Sequence, residues 1–138
     1  MPHQDNYPAT VAEVLDDRAT FLPDALRAVK RFRRTKPWQG GGEERLAKLW
    51  ILNGELARAY DIPEPRLTVA LRGGDWYNKA SHVICLSPRL SVVTFLHEFA
   101  HARGMDERRA CRWSLNLFRR CFPRSFARCR QVGHTLVR

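Results

Sequence analysis

Two histidines and a glutamate stand close together in residues 95 to 107, FLHEFAHARGMDE. His97 and His101 are four residues apart, so on a helix they share one face and can offer two imidazoles to one ion. Glu98 lies beside them, close enough to hold a water molecule on that ion. The spacing therefore predicts a metal site with a general base next to it.

The apolar residues of the same segment indicate which side of the helix the histidines occupy. At about 100° per residue, Val92, Leu96 and Phe99 form one stripe, and His97 and His101 point to nearly the opposite side. Histidines that merely filled the core would share the apolar stripe. We therefore expect this pair to line a cleft.

A third protein ligand is expected just after the helix, because hydrolytic zinc sites normally use three and keep the fourth position for water. Gly104 can close the helix and turn the chain, which brings Asp106 or Glu107 back over the histidines. Helical periodicity does not choose between these acids, and either carboxylate suits zinc. Glu107 is preferred because its side chain is longer and it stands ten residues after His97.

The chemistry expected of this ligand set is hydrolysis. Zinc held by His97, His101 and Glu107 lowers the pKa of a water ligand toward about 7, and Glu98 takes the proton. The hydroxide then attacks a polarised carbonyl group. The sequence therefore predicts zinc-dependent cleavage of peptide bonds with Glu98 as the general base.

These residues also resemble a known group of enzymes. HEFAH is similar to the HExxH motif of zincin metallopeptidases, and HEFAHARGMDE resembles the longer HExxHxxGxx(H/D) signature of metzincins. The resemblance implies zinc on His97 and His101, catalysis by Glu98, a turn at Gly104 and a third ligand at Glu107.

Because the third position is Glu and no methionine follows it, residues 66 to 118 look more like the compact intracellular zincins of the SprT-like and ImmA/IrrE groups. Those groups share two short strands around an irregular segment, then the HExxH helix and a further helix that begins with an acid. The resemblance implies a substrate among regulatory or nucleic-acid-associated proteins.

Two other functions fit parts of the same segment. It resembles the HGxxHxxGxDH motif of bacterial rRNA-maturation endonucleases, although Glu98 replaces a glycine and Glu107 a histidine of that motif. The other alternative is a non-catalytic, basic binding module braced by a structural metal, which would need no base. A general base at Glu98 favours the peptidase.

Further elements of a peptidase site are less strongly marked. An extended substrate would pair with a strand at the edge of the cleft, and both HVICL and LTVAL are candidates for that strand. Tyr77 and His134 are candidates for stabilising the oxyanion, although an ordinary boundary tyrosine and a tail histidine are the preferred interpretation.

The formal charge of +10 is concentrated in two arginine-rich segments. Residues 27 to 36 hold six cations and no acid, and residues 108 to 138 hold nine arginines and no Asp, Glu or Lys. Such faces attract phosphates or acidic proteins, although a solvated arginine face is an equal alternative. Nucleic acid is thus a candidate partner, and the residues whose neutralisation would test it are Arg119, Arg120, Arg124 and Arg128.

Turn signals and hydrophobic periodicity divide the chain into helices, a small sheet and further helices, an α+β fold in one domain. The predicted helices start near Val11, span about 23–34 and 43–60, run from about Leu90 to Arg103, and occupy DERRACRWSLNLFRRCF. RLTVALR and HVICLSP are predicted strands, DWYNKAS an irregular segment, and the tail a short helix with a loose end. Residues 1–65 form a mainly helical part, 66–122 a zincin-like metal-binding core, and 123–138 a basic tail.

Compartment is predicted from the lack of an apolar run, since no segment approaches the roughly 20 apolar residues that span a bilayer. The expectation is a cytoplasmic protein that does not enter membranes. The four cysteines include no CxxC pair, so we expect reduced and mostly buried thiols.

Overall fold

The computed structural model describes residues 10–133 and 135–137. Its helices are α1 (Val11–Val14), α2 (Pro23–Arg34), α3 (Gly42–Ala59), α4 (Val92–Ala102), α5 (Glu107–Cys121) and α6 (Pro123–Arg128). Its strands are β1 (Arg66–Val69), β2 (Trp76–Asn78), β3 (Val83–Leu86), β4 (Arg130–Val132) and β5 (Thr135–Val137). The α+β class and the predicted helices are confirmed.

The three-stranded sheet has β3 at its centre. β1 pairs with β3 in parallel and β2 pairs with it antiparallel, so that Leu67 and Tyr77 both stand opposite Ile84. Ile84 and Leu86 are fully buried, and α4 packs against β3 and β2. The sheet therefore supports the helix that carries the two histidines.

The apolar stripes of α4 and α5 pack against each other, on the side of α4 that faces away from its two histidines. Leu96 and Phe99 of α4 are fully buried, and Trp113 of α5 stacks on Phe99 with ring centroids 6.1 Å apart. The apolar stripe of α5, which is Ala110, Trp113, Leu117 and Cys121, is buried throughout. This packing fixes the two helices side by side.

Four expectations about strands and tail were wrong. DWYNKAS contains β2, and the predicted loose end contains the β4–β5 hairpin. HVICL cannot be an edge strand because β3 lies between two partners. Leu71, expected to continue the first strand, lies outside it and is 90% exposed. Strands of three residues are too short to show alternation and depend on distant partners for their pairing.

A side chain of α3 partly covers one edge of the sheet, the outer edge of β1. Arg66 and Ala70 donate their backbone N–H groups toward β3, so the carbonyl of Leu67 faces the outer edge of β1. Trp50 of α3 donates its indole N–H to that carbonyl at 3.2 Å. The outer edge of β1 is therefore partly closed by a side chain from α3.

Both ends of the described chain pack against α5. Asn116 of α5 accepts a hydrogen bond from the backbone N–H of Asp16 at 2.8 Å and donates one to the carbonyl of Val14 at 2.8 Å. The N–H of Val11 donates to the carbonyl of Gly133 at 2.8 Å, which joins α1 to the C-terminal hairpin. These bonds hold α1 against the middle of α5 and join the hairpin to α1.

All four cysteines are free thiols; Cys85, Cys111 and Cys121 are buried and Cys129 is half-buried, which agrees with the expectation. Among the described residues, no helix is both long and apolar enough to cross a membrane.

Candidate metal centre

Helix α4 presents its two histidines on the side away from the core. Ser91 caps the helix by accepting a hydrogen bond from the N–H of Thr94 at 3.3 Å. The side chains of His97 and His101 are 20% and 22% exposed, and their Nε2 atoms lie 3.2 Å apart. The predicted orientation is confirmed.

A sharp turn brings the third candidate ligand to them. Gly104 has a φ of 88°, which favours glycine, and the N–H of Met105 donates to the carbonyl of Ala100 at 3.1 Å. Glu107 follows as the first residue of α5. The turn thus returns the chain to the histidine face within a few residues.

The structure distinguishes the two acids that periodicity left open. Asp106 caps α5, and its side chain accepts a hydrogen bond from the N–H of Arg109 at 2.9 Å. Glu107 places Oε1 2.9 Å from Nε2 of His97 and Oε2 3.0 Å from Nε2 of His101. Glu107, and not Asp106, is the acid that meets both imidazoles.

The spacing of these atoms fits a bound ion. Zinc–nitrogen and zinc–oxygen bonds of about 2.0–2.1 Å in a tetrahedral site separate neighbouring ligand atoms by about 3.3 Å. The three separations between the two Nε2 atoms and the Glu107 oxygens are 2.9, 3.0 and 3.2 Å. Two nitrogens and a carboxylate are also ligands that zinc accepts.

The electrostatics of the group favour a positive charge at its centre. Hydrogen bonds from His101 and His97 hold the pKa of the Glu107 carboxyl well below its usual range. The hydrogen bond to Glu107 raises the pKa of His101, against the opposing effect of burial. Nδ1 of His101 faces the carbonyl of Met105 at 2.9 Å and must donate to it, which leaves Nε2 for the proton or an ion.

Glu98 is the buried acid of the cleft. It is 7% exposed. Its pKa is affected by burial and by neighbouring charges, and by no hydrogen bond with another described residue. Burial raises the pKa of Glu98, while the neighbouring histidines oppose that rise. A buried carboxyl group that faces a cleft and keeps its oxygens unengaged can exchange a proton with a bound molecule.

The cleft around these residues has a volume of about 380 Å³. Asp75, which immediately precedes β2, forms part of its wall, as do Thr94, Ser114 and Leu136. Its charged lining residues among those described are Asp75, Glu98 and Glu107, without Lys or Arg. The cleft is therefore acidic in a strongly basic protein.

Sequence reasoning missed Asp75, Cys111 and the hairpin residues Thr135 and Leu136 as parts of the cleft. Cys111 lies four residues after Glu107 on α5, a spacing that could have revealed it. Burial, together with the charge of Glu107, raises the pKa of Cys111 to about 12. The hairpin residues gave no comparable signal, since their position depends on contacts with α5 and α1.

The two oxyanion candidates have different outcomes. The hydroxyl of Tyr77 is hydrogen-bonded to Nδ1 of His82 at 2.7 Å, and Tyr77 does not line the cleft. Its interpretation as an ordinary boundary residue fits that position. His134 lies outside the described residues.

Comparison with models of protein families, with curated proteins and with solved structures finds no match for this chain. A functional assignment therefore rests on the geometry of the cleft and on the resemblance of its motif.

Proposed function

We propose that this protein is a zinc-dependent metallopeptidase with a zincin-like catalytic core. The observation that carries the proposal is the convergence of His97, His101 and Glu107 on one point beside the buried carboxyl group of Glu98. A structural zinc site uses four protein ligands, whereas a catalytic one leaves a position open. Three close donor atoms at the wall of a cleft fit the catalytic arrangement.

Zinc, when bound, supplies a Lewis acid that polarises the substrate carbonyl and makes water easier to deprotonate. The residues of this chain supply the rest of the reaction. Glu98 takes the proton of the attacking water and then delivers it to the leaving amine. Its burial raises its pKa, which strengthens it as a base for the first step. Met105 orients His101 through its carbonyl.

The outer edge of β2, which pairs with no further strand among the described residues, is the proposed binding place for an extended substrate. β3 lies at the centre of the sheet, and Trp50 occupies a carbonyl on the outer edge of β1. β2 is the other edge, it packs against α4, and it begins next to Asp75 of the cleft. A peptide added there would gain backbone hydrogen bonds while it passes the histidines.

The endoribonuclease alternative is less well supported, because a carboxylate base stands where that motif has glycine. A purely structural metal is also less well supported, since a structural site uses four protein ligands and needs no general base such as Glu98 beside the ion. Both alternatives retain a metal. Measured activity, rather than metal content alone, therefore separates them from the peptidase.

The deciding experiment measures zinc content and hydrolysis of a mixed peptide library by the purified protein. Near-stoichiometric zinc, together with cleavage that chelation abolishes and zinc restores, is the expected result. Cleavage of RNA but not of peptides would favour the endoribonuclease. Zinc without either activity would favour the binding module, and absence of zinc after reconstitution would remove the basis of all three.

We also propose that the protein binds nucleic acid, through exposed cations that have no ion pair with a described residue. Four of the arginines on α5 lie within 4 Å of a carboxylate, and these are Arg108, Arg109, Arg112 and Arg119. Arg119, one of the four arginines named for testing this partner, lies 2.9 Å from Asp17 and is not part of the surface proposed below. Such pairing reduces the attraction of these arginines for a phosphate.

A second group of cations lies where α2 meets the end of α5. We call it the basic junction, and its members are Lys30, Arg33, Arg34, Arg120 and Arg124. All five are exposed, and none has an ion pair with a described residue. Arg33 donates to the carbonyl of Cys121 at 3.2 Å. Burial raises the pKa of the Cys121 thiol, and the nearby charges of Lys30, Arg33 and Arg120 oppose that rise. These contacts place Lys30, Arg33 and Arg120 around Cys121, while Arg34 adjoins Arg33 on α2 and Arg124 follows Cys121 by three residues at the start of α6.

Binding of a fluorescent DNA duplex, measured at several salt concentrations, tests this partner. Affinity that falls steeply with salt is expected, because binding to phosphates releases counterions. Binding to an acidic protein but not to DNA or RNA would identify a different partner. Absence of binding at low salt to any of them would contradict the proposal.

A further inference from the structure

The two histidines of the candidate metal centre differ in what holds their Nδ1 atoms. Nδ1 of His101 faces a backbone carbonyl, that of Met105, at 2.9 Å. Nδ1 of His97 instead has Sγ of Cys111 as its hydrogen-bond partner among the described residues, at 3.8 Å. A histidine ligand generally donates its second N–H to a fixed acceptor, which sets the tautomer and the orientation of the ring. The sulfur is therefore in the place where such an acceptor is needed.

Cys111 also contacts the carboxylate ligand. Its Sγ lies 3.7 Å from Oε1 of Glu107, one helical turn earlier on α5. A thiol has one weak donor and a weak acceptor, so it can accept from His97 and donate to Glu107 at the same time. Cys111 is 2% exposed and packs in a cluster with Val11, Val14 and Leu115. Its side chain is thus held in place by the contact of α1 with α5.

We infer that Cys111 is a positioning residue of the metal centre, which accepts the Nδ1 proton of His97 and donates its own to Glu107. The inference rests on the proposed metal site. The thiol lies at the Nδ1 side of the His97 ring, whereas Nε2 of that ring faces His101 and Glu107. By fixing the Nδ1–H tautomer, Cys111 keeps the Nε2 lone pair directed at the ion.

The first test compares zinc affinity, by chelator competition, in Cys111→Ala, Cys111→Ser and a matched control, Cys121→Ala. Cys121 is equally buried but lies at the far end of α5. Loss of a partner that orients a ligand typically lowers metal affinity about 10–100-fold. We expect that loss for Cys111→Ala, a substantial recovery for Cys111→Ser, whose hydroxyl can both accept and donate, and no change for Cys121→Ala.

The second test records the nitrogen NMR signals of the His97 ring in the zinc-loaded protein. The Nδ1–H tautomer is expected in the unmodified protein, with altered Nδ1 signals in Cys111→Ala. A merely structural role of Cys111 would not change these signals. Unchanged zinc affinity and unchanged His97 signals in Cys111→Ala would overturn the inference.

Cobalt in place of zinc tests the inference without any substitution. A direct sulfur–metal bond gives a near-ultraviolet charge-transfer band, and we expect none. If the band is present, Cys111 is a ligand and its assignment as a positioning residue is wrong. Failure of the unmodified protein to bind zinc would instead overturn the proposed function, so the two failures are distinguishable.

Discussion

The cleft and the basic junction carry opposite charges, although helix α5 contributes to both. The start of α5 supplies Glu107 and Cys111 to a cleft whose charged lining residues, among those described, are all acidic. The end of α5 supplies Arg120 to a group of cations that have no acid paired with them in the described part of the chain. A helix of 15 residues is about 22 Å long, so the cleft and the basic junction lie near opposite ends of a helix of that length.

This contrast teaches that the net charge of +10 does not describe the candidate active site. The helix macrodipole favours an acid in the first turn and cations in the last, which is how Glu107 and Arg120 are placed. The junction can attract a phosphate backbone while the cleft receives an uncharged peptide group. We therefore expect substitutions in one region to leave the other intact, and the following changes test that separation.

The largest effect is expected from Glu98→Gln. The amide keeps the shape of the side chain but cannot take a proton, and loss of a general base typically costs about 10²–10⁴-fold in kcat. Zinc content and DNA affinity should remain unchanged. Steady-state peptide hydrolysis with parallel metal analysis provides the measurement, and full activity in this variant would exclude Glu98 as the base.

Glu107→Ala should lower zinc affinity by more than the roughly 100-fold that loss of an outer partner can cause, because it removes a ligand. Asp106→Ala is the matched control, since the neighbouring acid only caps α5 and its loss typically costs about 1 kcal/mol. Chelator competition measures both variants. The ligand assignment would fail if Asp106→Ala lost zinc and Glu107→Ala kept it.

Neutralising the basic junction should reduce DNA affinity without affecting peptide hydrolysis. The variant changes Lys30, Arg33, Arg120 and Arg124 to Gln. For each phosphate that the protein no longer neutralises, the slope of log affinity against log salt should become shallower by about 1. The control changes Arg27, Arg31, Arg108 and Arg109 to Gln, which alters net charge equally at arginines that already face carboxylates. Equal reductions in both would show that net charge alone attracts DNA.

The smallest effect is expected from Asn116→Ala, midway along the same helix. It removes the hydrogen bonds that tie Asp16 and Val14 to α5, which should lower the free energy of unfolding by about 1–3 kcal/mol. Denaturant titration measures the change. Zinc and DNA affinities should stay unchanged, whereas a change in both would mean that the cleft and the junction are coupled through α5.

Features that depend on residues close together in the sequence were predictable, and features that depend on residues far apart in the sequence were not. His97 and His101 share a face because of helical spacing, and Gly104 turns the chain within a few residues, so this part of the site was predictable. The choice of Glu107 over Asp106 needed one more local fact, the use of Asp106 as a helix cap. Periodicity within about one turn sufficed for most of the metal centre.

The parts that were missed depend on contacts between distant segments. Asp75 reaches the cleft because β2 pairs with β3, and a three-residue strand has no periodicity of its own. Leu136 reaches it because the hairpin meets α5 and α1. The basic junction likewise joins residues nearly ninety positions apart, as the bond from Arg33 to Cys121 shows. Charge runs in the sequence identified the arginines but not which of them would be paired.

The hydrogen bond from Trp50 to the carbonyl of Leu67 also bears on how the protein behaves at high concentration. An exposed sheet edge is a template for a second chain, and side chains that cover such an edge reduce aggregation. Since Trp50 occupies one of the outward carbonyls of β1, strand addition between copies is disfavoured there. Replacement of this tryptophan would therefore first lower the solubility and increase self-association, even in a protein whose fold and metal centre were unchanged.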